Sequence, residues 1–273
     1  MTDTKQKVRE FYDEIGWQQE ADGNYQNARY EDLRPVSAEY IRKTRLRIND
    51  GLLPTGRFLL DAGSGPVQYD DYLTYSQGYQ KRVCLDISIQ ALREARARIG
   101  DHGLFVVGDL ANLPFKSDAF DGVVSMHAIH HLAVDEHPRA YNELYRVLAP
   151  GRSAAIVNGW TNPALTGWLD TLVITSRRLR RLLRGKPMRA QPQEGKGTYV
   201  KKTSPHRLRR QLAGSMQIEI SSWRSASTRI LRTFIHEKLA GRAILAWLYD
   251  MEERHPRFFG ENGQYPLIVL RKP

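Results

Sequence analysis

The sequence of 273 residues contains one cysteine, Cys84, and lacks any long apolar run. A single cysteine excludes a disulfide framework and a cysteine-rich zinc site. No apolar stretch approaches the roughly 20 residues that a membrane-spanning helix needs, and residues 1–5 contain no apolar signal region. These absences lead us to expect a soluble, cytoplasmic protein.

Acidic residues are scarce between residues 177 and 232, where 16 lysines and arginines accompany two acids, Glu194 and Glu219. An amphipathic pattern over 164–184 runs into this stretch and ends in clustered arginines, at Arg177, Arg178, Arg180, Arg181 and Arg184. Such a helix fits three roles: peripheral contact with an anionic membrane, the entrance for an acidic substrate, or a solvated cap without a partner. Nucleic acid is not expected as a partner, because aromatic residues are not interleaved with the arginines and no binding motif is present.

Apolar residues, 41% of the chain, suffice for a sizeable core. Between residues 58 and 158, short apolar runs typical of buried strands alternate with helical patterns. The expected strands are 58–61, 82–86, 104–107, 120–125 and 153–158, and the expected helices lie near 68–76, 88–99 and 136–148. This alternation predicts an α/β fold in which helices cover both faces of a parallel sheet. Its ligand crevice should lie at the carboxyl ends of the strands.

The first two strands end in the residues that organise this crevice. The first ends in Asp61, followed by a Gly-x-Gly turn at 63–65 that lets backbone approach a ligand closely. The second ends at Asp86, placed to bind the hydroxyls of a ribose. A dinucleotide-binding dehydrogenase would require a third glycine at position 68, which is Gln68.

Five motifs in order resemble the class I S-adenosylmethionine-dependent methyltransferases, and in particular the small-molecule group that includes ubiquinone/menaquinone-type enzymes. The motifs are Leu60-Asp61-Ala62-Gly63-Ser64-Gly65, Leu85-Asp86-Ile87-Ser88, Gly108-Asp109-Leu110 with the residues to 115, Phe120-Asp121-Gly122 with the residues to 125, and 143–151. The resemblance implies a Rossmann-like doubly wound sheet of seven strands. The sheet is mostly parallel, and an antiparallel last strand is inserted beside the fifth.

The resemblance also implies S-adenosylmethionine as cofactor and assigns residues to it. Gly63 and Gly65 would approach its methionine part, Asp86 would take the ribose hydroxyls, and Asp109 would accept from the adenine amino group. One departure is Val67, which stands where many such loops have a third glycine. The full cofactor set is Asp61, Gly63, Gly65, Asp86, Ile87, Asp109, Leu110, Ser125 and Met126.

Two residues are candidates for catalysis. His127 follows the fourth strand, and a free imidazole titrates near ~6.5, so it can act as a base at neutral pH. Tyr12 lies in an N-terminal aromatic stretch that either closes over the site or simply packs on the sheet. His127, His130 and His131 could also suggest a metal, but no cysteine set or paired carboxylates accompany them, so no metal is expected.

The chain divides into an N-terminal helical lid (1–52), a cofactor-binding core (53–158), a basic helical cap (159–214) and the C-terminal part of the core sheet (215–273). In the last part we expect strands at 216–220 and 266–270 and one long helix at 230–254. The predicted function is in-line methyl transfer to a small or lipid-like acceptor at oxygen, carbon or nitrogen. The alternative is a cofactor-binding scaffold or regulatory protein without transfer activity.

Overall fold

The computed structural model describes residues 3–17, 31–169, 171–175 and 198–273. Seven strands form one sheet in the order β3-β2-β1-β4-β5-β7-β6. Strand β7 runs antiparallel to both of its neighbours, and the pairs from β3 to β5 are parallel. This confirms the Rossmann-like sheet and the insertion of the last strand beside the fifth. The strands are β1 (Gly56–Ala62), β2 (Tyr79–Asp86), β3 (Gly103–Val107), β4 (Phe120–Met126), β5 (Leu148–Val157), β6 (Gln217–Arg224) and β7 (Tyr265–Arg271).

Alternating residues of the inner strands fill two cores, one on each face of the sheet. Leu60 and Ile268 lie in one core, whereas their chain neighbours Leu59 and Val269 lie in the other. A strand apolar on both faces is therefore buried on both, as the uninterrupted apolar runs predicted. Strand β7 has this character along 266–270 and lies between β5 and β6, inside the sheet.

Helices surround the sheet in the described part of the chain. Three of them, α3, α5 and α6, begin after serines (Ser88, Ser204 and Ser227) whose side chains accept a backbone N–H of the first turn. The helices are α1 (Asp3–Phe11), α2 (Pro35–Leu46), α3 (Ile89–Ile99), α4 (His137–Val147), α5 (Pro205–Leu212), α6 (Thr228–Phe234), α7 (Gly241–Arg254) and α8 (Pro256–Asn262).

The helix expected at 68–76 is instead a 3₁₀ helix, Asp70–Ser76. Three tyrosines recur at every third residue here, and a helix of three residues per turn places such side chains above one another. The rings of Tyr69 and Tyr72 have centroids 5.3 Å apart, and those of Tyr72 and Tyr75 are 5.5 Å apart. The aromatic contacts thus favour the tighter helix.

The single helix expected at 230–254 is also wrong, because α6 and α7 are separate. Between them Ala240 has a left-handed φ of +53°. A Cβ on Gly241 would lie 2.7 Å from the carbonyl oxygen of His236, so the chain turns where only glycine fits. Helix α8, which begins at Pro256, was not predicted.

The expected cap helix at 164–184 is helical at 167–169 and 171–175, with Trp168 and Leu172 more than half exposed. The five clustered arginines from Arg177 to Arg184 lie outside the described residues. Within the described ranges, no helix combines the length and apolarity needed to cross a membrane.

Candidate functional site

A cavity of about 440 Å³ opens at the carboxyl ends of the central strands. Its wall combines the glycine turn after β1, the acids after β2 and β3, the histidine cluster after β4, and residues of the N-terminal segment. The topology therefore brings together groups that lie more than 100 residues apart in sequence. Of the residues predicted from sequence, those that line it are Tyr12, Asp61, Gly63, Gly65, Asp86, Ile87, Asp109, Leu110, Met126 and His127.

The glycine turn is held onto the neighbouring strand. The backbone N–H groups of Gly63 and Ser64 donate to the carbonyl oxygen of Leu85, at 2.7 and 3.1 Å. Gly63 and Gly65 have left-handed φ values of +76° and +54°. Val67, in place of a third glycine, is fully buried with a φ of +52°, so it keeps the backbone conformation that glycine would favour.

Asp86, the last residue of β2, is held by two backbone N–H groups beside the glycine turn. One carboxylate oxygen accepts from the Gly65 N–H and the other from the Ser88 N–H, each at 2.9 Å. Partial desolvation of this carboxylate raises the pKa of Asp86 to about 6. Each oxygen retains a lone pair toward the cavity, so the site fits a ligand that brings two hydroxyl donors.

Asp109 is tied to the N-terminal helix. Lys5 of α1, which is buried, donates to Asp109 at 2.7 Å and also pairs with Glu136. The other Asp109 oxygen accepts from the Ala111 N–H at 2.9 Å. The lysine was not singled out from the sequence, where nothing distinguishes it from other lysines of an amphipathic helix.

Two members of the predicted cofactor set hold the fold together in this structure. Asp61 pairs with Arg82 of the adjacent strand, with Nε and the carboxylate 3.1 Å apart, and both side chains are buried. The Ser125 hydroxyl donates to the Ala62 carbonyl at 2.8 Å, and Ser125 is not among the residues that line the cavity. Met126, the next residue, does line it.

Tyr12 lies in the cavity wall within hydrogen-bond distance of a histidine. Its hydroxyl is 2.8 Å from Nε2 of His131, and Nδ1 of His131 is 2.7 Å from the Tyr199 carbonyl oxygen. A carbonyl oxygen only accepts, so Nδ1 carries the proton and Nε2 accepts from Tyr12. Desolvation lowers the pKa of His131 to about 4, which keeps the ring neutral at pH 7.

Stacked aromatic residues of the N-terminal segment also lie against the glycine turn. The Tyr12 ring stacks on Trp17 with centroids 5.1 Å apart. A Cβ on Gly65 would lie 3.0 Å from the Trp17 ring, so the indole lies directly against the turn. Phe11, Tyr12 and Trp17 therefore line the cavity.

His127 stands at the tip of β4 with a left-handed φ of +55°, and its N–H donates to the Val157 carbonyl oxygen at 2.7 Å. Its ring centroid lies 5.3 Å from those of Trp223 and Tyr265. Desolvation, reinforced by the charge of Arg224, lowers the pKa of His127 to about 3, so the ring is neutral at pH 7. Over the described ranges, no three histidine, cysteine or acidic side chains are grouped to hold a metal ion.

A further group of cavity residues was missed from the sequence: Glu31, Tyr69, Tyr72, Lys202, Arg224 and Tyr265. They come from five separate parts of the chain, which a single sequence does not connect. Two features of the sequence could have pointed to some of these residues. The tyrosines repeat every three residues, and Arg224 is a charged residue at the end of a strand whose neighbour Trp223 is apolar.

Comparison with known proteins relates the core of this site to one domain family. The family model described as a methyltransferase domain matches residues 60–156. Over 98 residues the chain is 33% identical to the phthiotriol/phenolphthiotriol dimycocerosates methyltransferase of Mycobacterium leprae. That match covers 36% of this chain and 36% of the mycobacterial protein. The similarity to this relative is thus confined to about a third of its length.

Solved structures share the fold along almost the whole chain. The geranyl diphosphate C-methyltransferase of Streptomyces coelicolor, solved with Mg²⁺, geranyl diphosphate and S-adenosyl-L-homocysteine, aligns over 100% of this chain and 98% of its own, with a TM-score of 0.58 and 15% identity. The cyclase SpnF aligns over 98% of this chain and 97% of its own, with a TM-score of 0.54 and 18% identity. The domain match and the shared fold support a class I methyltransferase core with S-adenosylmethionine as cofactor. They do not distinguish the ubiquinone-type group.

Proposed function

We propose that this protein is an S-adenosylmethionine-dependent methyltransferase that acts on a small or lipid-like acceptor by in-line methyl transfer. One observation carries the proposal: a single cavity joins the glycine turn, Asp86 and Asp109 to a chamber of aromatic and histidine side chains. The first part suits the cofactor, and the second gives an acceptor access to it. The named activities of the relatives, on phthiotriol lipids and geranyl diphosphate, are consistent with a small or lipid-like acceptor.

The chain's own residues fit the cofactor at three points. Gly63 and Gly65 expose backbone where a side chain would block the methionine part. Asp86 offers carboxylate oxygens to the ribose hydroxyls, and Asp109 offers its own to the adenine amino group. When bound, S-adenosylmethionine supplies a methyl group already activated on a sulfonium. The protein then has to orient the acceptor and exclude water.

The lid residues serve the exclusion of water. Trp17 lies against the glycine turn, and Tyr12 closes the wall between Trp17 and His131. An acceptor that arrives protonated also needs a base. Tyr12 and His131 offer one path, since a proton taken by the tyrosine oxygen can pass to the neutral Nε2 of His131. His127 is the second candidate, facing the chamber as a neutral ring.

Transfer of a labelled methyl group tests the proposal. Purified protein incubated with methyl-labelled S-adenosylmethionine and lipid and small-molecule extracts of the producing cells should label at least one compound. A Gly63→Val variant, which cannot keep the turn without a clash with Ala128, should label none. A protein that binds the cofactor yet labels nothing would instead be a cofactor-binding scaffold.

A further inference from the structure

The end of the cavity away from the cofactor acids is lined by two cationic side chains, Arg224 and Lys202. The guanidinium carbon of Arg224 lies 4.9 Å from the ring centre of Tyr265, and Nζ of Lys202 lies 5.8 Å from the same ring. Two cations near one ring face the same small region. Asp86 and Asp109 belong to the β2 and β3 side of the sheet, opposite β6 and β7, so they lie at the other end of the cavity.

Arg224 has unused hydrogen-bonding capacity in this region. The residue is 3% exposed, and one terminal nitrogen of its guanidinium pairs with Glu31. Its Nε is buried and has no acceptor among the residues that the structure describes. A buried donor without an acceptor is unfavourable, and a donor on a charged group especially so. Arg224 also lines the cavity, so a ligand oxygen there would meet a cation whose donors are not all used.

Glu31 does not convert this end of the cavity into a cation site. Its two oxygens are divided between two guanidiniums, one from Arg224 and one from Arg45, the latter at 2.9 Å. Burial alone would raise the pKa of Glu31, but these arginines outweigh it and lower the pKa to about 2. A cationic ligand would have to displace an arginine from this carboxylate.

The histidine part of the wall is uncharged at pH 7. His127 and His130 are neutral at pH 7, and the rings of Trp223 and Tyr265 pack edge-to-face against His127. The body of a ligand that spans the cavity therefore meets aromatic surface, and its far end meets Arg224. The charge of this end, more than its shape, selects the ligand.

We propose that the methyl acceptor carries an oxyanion, a carboxylate or a phosphate monoester, that Arg224 binds beside Tyr265 while the reacting atom faces the glycine turn. This inference rests on the proposed methyltransferase function and narrows its substrate class. It favours organic acids and phosphomonoesters over amines and uncharged lipids.

Matched ligand pairs test the inference by calorimetry on protein saturated with S-adenosylhomocysteine. The pairs are 4-hydroxybenzoate with 4-hydroxybenzamide, and phenyl phosphate with phenol, and each differs mainly in the anionic group. We expect at least one acid to bind tenfold or more tightly than its neutral partner. The pair that shows the preference distinguishes a carboxylate from a phosphate.

Two arginine variants test whether Arg224 causes the preference for the acid over its neutral partner. Arg224→Gln should reduce it to threefold or less, because the charge and the fork of donors are lost from the cavity. Arg45→Gln is the matched control, since it also removes one guanidinium from Glu31 but Arg45 does not line the cavity. It should keep the preference. Lys202→Gln, a half-buried site, provides a second variant should Arg224→Gln fail to fold, and should reduce the preference at least threefold.

Each failure has a separate meaning. Equal binding of acids and neutral partners, no binding of either acid, or equal loss in the Arg224 and Arg45 variants would overturn the oxyanion site. The preceding titration with S-adenosylhomocysteine isolates the other failure, because a protein that does not bind it would overturn the methyltransferase proposal itself.

Discussion

The carboxylate of Asp86 accepts hydrogen bonds and is also partly desolvated. Two backbone N–H groups hold it at the tip of β2, and the surrounding protein raises its pKa to about 6. Below that pH the free protein carries a protonated Asp86, which loses acceptor capacity toward two ribose hydroxyls. Cofactor affinity should therefore depend on pH in a range where an ordinary aspartate, with a pKa near ~3.9, does not titrate.

We expect the affinity for S-adenosylhomocysteine to fall severalfold between pH 7 and pH 5. Asp86→Asn should bind more weakly at pH 7 and lose this pH dependence. Asp118→Asn, at an exposed carboxyl remote from the cavity, serves as the control and should follow the wild type. Titration calorimetry at the two pH values provides the measurement, and a wild-type affinity that rises or stays constant toward pH 5 would contradict the role of Asp86.

Tyr12 provides a second test at the residue scale. Tyr12→Phe removes the hydroxyl that donates to His131 but keeps the ring that stacks on Trp17. If the hydroxyl takes part in proton removal, kcat should fall by 10²-fold or more, within the usual range for general acid–base groups. KM and cofactor affinity should change little. Tyr249→Phe on α7 is the control, and an unchanged kcat in Tyr12→Phe would assign the base to another group.

Helix α1 is attached to the site mainly by one buried lysine. Lys5 bridges Asp109 and Glu136, and its loss would leave both carboxylates without their cation. Lys5→Met should therefore release the lid while the sheet stays folded. Hydrogen exchange of residues 3–17 should become at least tenfold faster, with the rates of β1 and β4 unchanged.

Lys7→Met is the matched control for this element. Lys7 lies in the same helix and pairs with Asp3 at 2.8 Å, but both side chains are more than two-thirds exposed. Exposed pairs contribute little, typically ~0.2–1 kcal/mol, so exchange in this variant should stay within a few-fold of the wild type. Equal acceleration in the two variants would show that Lys5 does not anchor the lid.

The elements differ in how far the sequence predicts them. All seven strands could be placed from their apolar runs, which are densest in the inner strands because those are buried on both faces. The 3₁₀ helix Asp70–Ser76 and the break at Ala240 and Gly241 could not be predicted, because stacked tyrosines and a missing Cβ act through neighbours in space.

The same distinction holds for the residues of the site. Gly63, Asp86 and Asp109 follow strand ends, whereas Lys5, Glu31 and Arg224 reach the cavity only through the tertiary fold.

At the scale of the whole molecule, the neutral histidines of the cavity link stability to pH. The folded-state pKa is about 4 for His131 and about 3 for His127, below the value near ~6.5 of an unfolded chain. Their contribution to stability is fully present above pH ~6.5 and is lost as pH falls toward 4. Asp86 has the opposite effect on stability, because its raised pKa lets the folded state bind a proton at a higher pH than the unfolded state. It is one group against two histidines.

The free energy of unfolding should consequently be lower at pH 5 than at pH 7. Chemical denaturation at the two pH values measures the difference, with cofactor absent. His131→Gln, which does not titrate in this range, should show a smaller loss than the wild type. A wild-type protein equally stable or more stable at pH 5 would contradict the assignment of neutral, buried imidazoles.

The central claim is that the cavity at the strand ends is the S-adenosylmethionine site, and one titration tests it most directly. Calorimetry of S-adenosylhomocysteine into the wild type and Asp86→Ala should show one site per chain in the wild type. In the variant, loss of the charge-assisted bonds to the ribose should weaken binding by about 1.5–3 kcal/mol, roughly 10- to 150-fold. Circular dichroism should show both proteins folded. Absence of binding to the folded wild type, or equal affinity in the two proteins, would contradict the account.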